Sequence, residues 1–178
     1  MDSVLLNLTV EFRLKVNELV RICSSEGVEI HPYCGLRTCA EQAKLFRKTR
    51  SRKDIEQKMQ SLRDRGLPEL AAVLELVGPQ EGILGQHVTK AGPGESWHQY
   101  GRAVDCVPLV GGKAMWSDAA PEWKIYGIVA NQLGLTWAGD WVSFKEFPHV
   151  QQWPSNSPIQ YLGRADLVLA QLREIKSV

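Results

Sequence analysis

The chain has 178 residues, about the length of one domain and enough to bury a core without disulfide or metal staples. Its 21 basic and 20 acidic side chains leave a net charge of +1, which excludes a general electrostatic pull toward nucleic acid or anionic membranes. No apolar run approaches the roughly 18 residues that would suggest a transmembrane helix.

The opening "MDSVLLNLTVEFRLKVNELV" has no basic leader and no continuous apolar stretch. No export signal is therefore expected, and synthesis is expected in the cytosol. Phe12, Val16, Leu19, Val20 and Cys23 recur at helical spacing, predicting a helix over residues 10–25 with Gly27 as its stop. "VEIHPYCG" alternates briefly, like a short strand entering a turn. Thr38 with Glu41, and again Ser51 with Asp54, form capping boxes that start two helices. "PELAAVLELV" continues with another helix, stopped at Gly78-Pro79. Basic residues outnumber acidic ones between Lys44 and Arg65, a pattern read as a solvated helical face, with attraction to an anionic wall polymer as the alternative.

After Gly85 the pattern changes. "HVTKAGPGESWHQYG" is glycine-rich loop, and "RAVDCVPLV" is a strand with Ala103, Asp105 and Val107 on one face. Gly111-Gly112 closes it with a turn. "PEWKIYGIVANQLG" predicts a helix with proline in its first turn and glycine at its end. "LTWAGDW" and "FPHVQQW" predict two short strands around the loop "VSFKE". Past residue 155 a strand remnant and the amphipathic helix "ADLVLAQLREIK" are expected. There is no repeat and no linker, so the expectation is one α+β domain over 1–178.

His98 stands seven positions before Asp105, with Gly101 and Ala103 between them. Zinc takes nitrogen, sulfur or carboxylate donors, and a catalytic site uses three from the protein while leaving a fourth position open. The third donor is expected from His31, His87 or His149. His149 is the best placed, because it opens a strand and has Glu146 three residues before it. A carboxylate close to a ligand is what a general base requires. His31 and His87 are read as structural. Cys23, Cys34, Cys39 and Cys106 form no CxxC pair and are read as buried thiols.

Ser96, His98, Gly101, Ala103 and Asp105 spell S-x-H-x-x-G-x-A-x-D. This resembles the zinc signature of the VanY-like family of D-alanyl-D-alanine carboxypeptidases and L-alanyl-D-glutamate endopeptidases. "YCGLRTCAEQAKLF", "VTKAGPGES" and "LTWAGDWVSFKEFPHVQ" resemble further blocks of that family, in the same order. The resemblance implies a small mixed, mostly antiparallel sheet with helices packed on one side, the hedgehog/DD-peptidase-like fold. It implies Zn2+ held by His98, Asp105 and His149, with Glu146 as general base and acid and Arg37 facing the substrate. Ser96, Trp97, Tyr100 and Trp141 are expected to line the substrate cleft. Both histidines must be neutral to ligate, so the site should fail in acid.

The substrate implied is the stem peptide of bacterial peptidoglycan, cut at the L-alanyl-D-glutamate bond. The "GDW…F…PH" form of the last block resembles the endopeptidases of phage-endolysin type. A monomer is expected, with no nucleic-acid partner and no membrane anchor, acting on the wall after release through a phage pore. The alternatives are a D-alanyl-D-alanine carboxypeptidase of the same family and a zinc-holding binding module without catalysis. Glu146 stands where this subfamily usually has aspartate, and the helical stretch at about 48–80 has no counterpart in the shortest members.

Overall fold

The computed structural model describes residues 3–48, 50–78 and 88–178. His87, Pro79 and Gly85 lie outside them. In chain order the elements are α1 (Val10–Ser25), β1 (Glu29–Cys34), α2 (Cys39–Arg47), α3 (Arg52–Asp64) and α4 (Pro68–Leu76). They continue with β2 (Ala103–Val110), β3 (Lys113–Ala114), α5 (Glu122–Gln132), β4 (Thr136–Trp137), β5 (His149–Gln151), α6 (Pro158–Leu162) and α7 (Ala165–Glu174). The class is α+β. No helix among the described residues is long and apolar enough to cross a membrane.

By internal contacts the chain forms two compact units, one of Met1–Leu36 with Gly101–Pro154 and the other of Arg37–Tyr100 with Ser155–Val178. The first unit carries the sheet, in the order β1-β2-β5-β4 with β3 pairing β2 at the side. Every pairing among the described residues is antiparallel, in keeping with the small, mostly antiparallel sheet that the resemblance implies. Phe12, Val16, Leu19 and Cys23 of α1 and Trp123, Tyr126, Val129 and Ala130 of α5 share one core with Ile30, Val104, Cys106 and Val150 of the sheet. Successive strand residues point to opposite faces. Asp105 and His149, each one position away from a core residue, therefore project from the face opposite that core.

Two of the predicted strands are much shorter than their sequence patterns. In 135–141 only Thr136–Trp137 is extended, and Ala138–Asp140 turns into a 3-10 helix. The cause is the Trp137 ring, which lies against two glycines. A Cβ on Gly127 would sit 2.1 Å from its Cε3, and one on Gly139 2.1 Å from its Cζ2. The chain must bend so that Gly139 can pass the ring, and the indole N–H donates to the Phe147 carbonyl at 2.7 Å.

The second unit is helical. Both capping boxes form as predicted, at Thr38–Glu41 and Ser51–Asp54. Ile55, Met59 and Leu62 of α3 and Leu70, Ala71 and Leu74 of α4 are buried, while the basic residues of α3 stay largely on its outer side. Residues after 155 form two helices, α6 and α7, and no strand remnant. Gly163 at φ +67° ends α6 in the left-handed conformation that glycine tolerates best.

Candidate metal centre

The first unit brings two of the predicted site residues together by strand register. Asp105 of β2 pairs directly with His149 of β5, and directly opposed residues point their side chains to the same face. His149 Nδ1 lies 3.1 Å from Asp105 Oδ1, and its Nε2 lies 3.1 Å from Gln151 Oε1. The Gln151 amide is oriented by its own Nε2, which donates to the Trp153 carbonyl at 2.5 Å. Gln151 therefore presents an oxygen to the ring, and His149 must donate from Nε2.

That tautomer leaves the Nδ1 lone pair facing a carboxylate. A neutral imidazole has one N–H, so the Nδ1–Asp105 approach is favourable only with a proton or a cation between the two atoms. Burial disfavours charge on His149, yet the hydrogen bond and charge of Asp105, helped by Glu146, hold its pKa above the ordinary value. The geometry also suits a metal. Ligand bonds of about 2.0–2.1 Å put two donors of a tetrahedral ion roughly 3.3 Å apart. Imidazole and carboxylate are both zinc donors, and the Gln151 bond is the outer-shell contact that fixes a ligand's tautomer.

Glu146 is positioned by backbone bonds on both sides. Its N–H donates to the Ala138 carbonyl at 3.3 Å, and its own carbonyl accepts from the His149 N–H at 3.1 Å. Glu146 Oε2 stands 4.0 Å from His149 Nδ1, so a glutamate reaches the ring edge despite its extra methylene. The half-buried Trp141 ring lies 5.6 Å from the His149 ring. Tyr126 braces the approach to β5, its hydroxyl donating to the Pro148 carbonyl at 3.0 Å.

The second unit holds the remaining predicted residues. His98 is buried, on the 3-10 helix Trp97–Tyr100 rather than in an open loop. Its carbonyl accepts from the Arg37 N–H at 3.2 Å. The Arg37 guanidinium donates to Gln42 Oε1 at 2.9 Å. The fully buried Gln42 in turn donates to the Ala91 carbonyl at 2.8 Å and Thr89 Oγ1 at 3.3 Å. The sequence reading missed this anchoring role, although Gln42 sits in the block that drew attention to Arg37.

The helical stretch at about 48–80 takes part as well. Glu95 accepts from Lys58 of α3 at 2.5 Å and from the Gly92 N–H at 2.8 Å. Arg65 stands 3.6 Å from the same carboxylate. Gly94, at φ +78°, lies so close to Leu70 of α4 that a Cβ there would come within 2.4 Å of its Cδ1. Helices α3 and α4 therefore hold the run of residues that leads into His98.

Two expected cleft residues are interior side chains. Trp97 and Tyr100 are 1% and 2% exposed. The Trp97 indole donates to the Ser155 carbonyl and the Tyr100 hydroxyl to the Gly94 carbonyl. Trp97 also packs edge-on against Tyr100 and Tyr161. Their rings fill the second unit instead of walling a cleft. Ser96 is half-buried beside them, its N–H donating to Gln99 Oε1 at 3.2 Å.

Residues 89–152 match the profile of the M15 peptidases described as D-alanyl-D-alanine carboxypeptidase. That segment belongs to the VanY-like M15 peptidase family. The matched M15 segment contains Ser96, His98, Asp105, Trp141, Glu146 and His149, and leaves Arg37 outside. The chain is also 34% identical over 79 residues to the peptidoglycan L-alanyl-D-glutamate endopeptidase CwlK of Bacillus subtilis (strain 168). That match covers 40% of this chain and 47% of the relative, so it spans about half of the relative's length.

Two solved structures are similar to much of the chain at low identity. The L-Ala D-Glu endopeptidase ChiX of Serratia marcescens has a TM-score of 0.44 at 15% identity, over 83% of this chain and 82% of that one. A Zn(II) complex of a mutant vancomycin resistance D,D-pentapeptidase VanY, from a VanB-type resistance cassette, has a TM-score of 0.48 at 16% identity, over 94% and 83%.

Proposed function

We propose that the protein is a zinc peptidase of bacterial peptidoglycan that hydrolyses the L-alanyl-D-glutamate bond of stem peptides. The observation that carries this reading is the Asp105–His149 pair, in which an imidazole nitrogen of the buried His149 lies 3.1 Å from a carboxylate oxygen, with the other ring nitrogen 3.1 Å from Gln151 Oε1. Asp105, His149 and His98 are the proposed ligands. When bound, zinc supplies a Lewis acid that acidifies water and polarises the scissile carbonyl. Glu146 takes the proton of the attacking water and delivers it to the leaving amine. Arg37, always charged, holds a substrate carboxylate or the developing oxyanion. Trp141, half-buried beside His149, offers an apolar wall to the peptide.

The choice of bond follows the likeness to CwlK. The matched profile's own description favours a second reading, removal of terminal D-alanine. Zinc-loaded protein is to be incubated with purified peptidoglycan and the fragments weighed. New N-terminal D-glutamate is the expected product. Released D-alanine alone would replace the endopeptidase by the carboxypeptidase, and an undigested wall would leave a zinc-holding binding module. An endolysin-like route, with release from the cytosol through a phage pore, belongs to the same proposal.

A further inference from the structure

The sheet contains a third potential donor in line with Asp105 and His149. Cys34 of β1 is the register partner of Asp105, which is itself the partner of His149, so one row crosses three strands as Cys34–Asp105–His149. The Cys34 thiol sulfur and an Asp105 carboxylate oxygen lie within 4.8 Å of each other. Zn–S and Zn–O bonds of about 2.3 and 2.0–2.2 Å bring such donors onto one ion with a small side-chain adjustment.

A bulge creates this row. From Glu29 to Pro32 the register descends one residue at a time, from Leu109 to Cys106, and would next set Tyr33 against Asp105. It shifts between Pro32 and Cys34, and Cys34 takes that place. Bulges beside functional sites serve to re-aim a side chain. Here the effect is to exchange an aromatic ring for a thiol next to the carboxylate. Cys34 also differs from its fellows in exposure. Cys23, Cys39 and Cys106 are buried, and Cys34 alone is half-buried. Burial pushes the Cys23 thiol up to about 11, which marks it as an inert core group.

We propose that Cys34 is a metal-facing thiol that closes on the ion in the resting protein and takes the coordination position solvent would otherwise occupy. The inference rests on the zinc reading above. The thiol proton goes to solvent, the sulfur lone pair takes the vacated position, and a water molecule leaves. Hydrolysis then requires the sulfur to withdraw, so alkylation of Cys34 releases the site where thiol-metal closure holds it shut.

Cobalt(II) serves as the probe, because a thiolate ligand on it gives a strong near-ultraviolet charge-transfer band. The full chain loaded with one equivalent of cobalt should show that band, and Cys34→Ser should lose it while still binding one equivalent. Iodoacetamide should modify Cys34 at least tenfold more slowly in the loaded wild-type chain than in the metal-free one, read by peptide mass. Cobalt bound without the band, or a band that persists in Cys34→Ser, overturns the inference and leaves the zinc reading intact. Failure of the wild-type chain to bind cobalt at all removes the zinc reading instead.

Discussion

The two units hold their candidate ligands by different physical means. In the first, Asp105 and His149 meet because two backbone ladders put them opposite each other, and a one-residue slip would turn either side chain to the wrong face. In the second, His98 rides on a single 3-10 turn whose placement depends on the buried polar side chains Gln42 and Glu95 and the half-buried Lys58, none of them a proposed ligand. Backbone register survives most side-chain changes. A polar network fails when one member is lost, because the others stay buried without partners.

The largest effects should fall on the register-held pair. Asp105→Ala removes a donor, and zinc affinity measured by competition with a chromophoric chelator should drop by more than the roughly 10–100-fold typical of outer-shell changes. Gln42→Ala should stay within that outer-shell range. Equal losses from the two would erase the distinction between ligand and support.

Glu146→Gln should bind zinc like wild type yet lower kcat on peptidoglycan fragments by about 10²- to 10⁴-fold. Undiminished turnover would remove Glu146 from the proton transfer.

Smaller changes sharpen the contrast through stability. Gly139→Ala drives a Cβ into the Trp137 ring and should cost about 1–3 kcal/mol in denaturant unfolding, as overpacking does. Lys58→Met should cost about 1 kcal/mol, since Arg65 and the Gly92 amide still face Glu95. It should also weaken zinc binding, which an unrelated surface ion pair such as Arg21–Glu18 should not.

The mildest test is pH. The folded-state pKa of His149 is raised, so in metal-free protein its pairing with Asp105 contributes stability in full below the unfolded value of about 6.5. That contribution is lost as pH rises through the raised folded value. Zinc reverses the trend, because the ion binds the neutral ring and competes with its proton. Denaturation midpoints of the metal-free and loaded chains should therefore diverge as pH rises. Parallel curves would separate the ion from His149.

Local signals carried much of the fold. Two capping boxes, the helix over 10–25 and the strand bearing Asp105 all form where the sequence puts them, since each depends on residues only a few positions apart. The Glu146-to-His149 spacing was equally legible, as both lie in one tight turn. Long-range geometry was not. The Trp137 contact with Gly127 and Gly139 shortened a predicted strand, and the burial of Trp97 and Tyr100 depends on Ser155, Tyr161 and Gly94. Cys34 read as one of four buried thiols because a bulge, which no periodicity announces, sets its register. The support from α3 and α4 runs through Lys58 and Leu70, which read as ordinary helix residues.

The most direct test of the central claim is zinc-edge X-ray absorption on the loaded wild-type chain and on His98→Ala. The account predicts one zinc per chain with two imidazoles in the wild type and a single imidazole in the variant. One imidazole in both, or no stoichiometric zinc in the wild type, would contradict it.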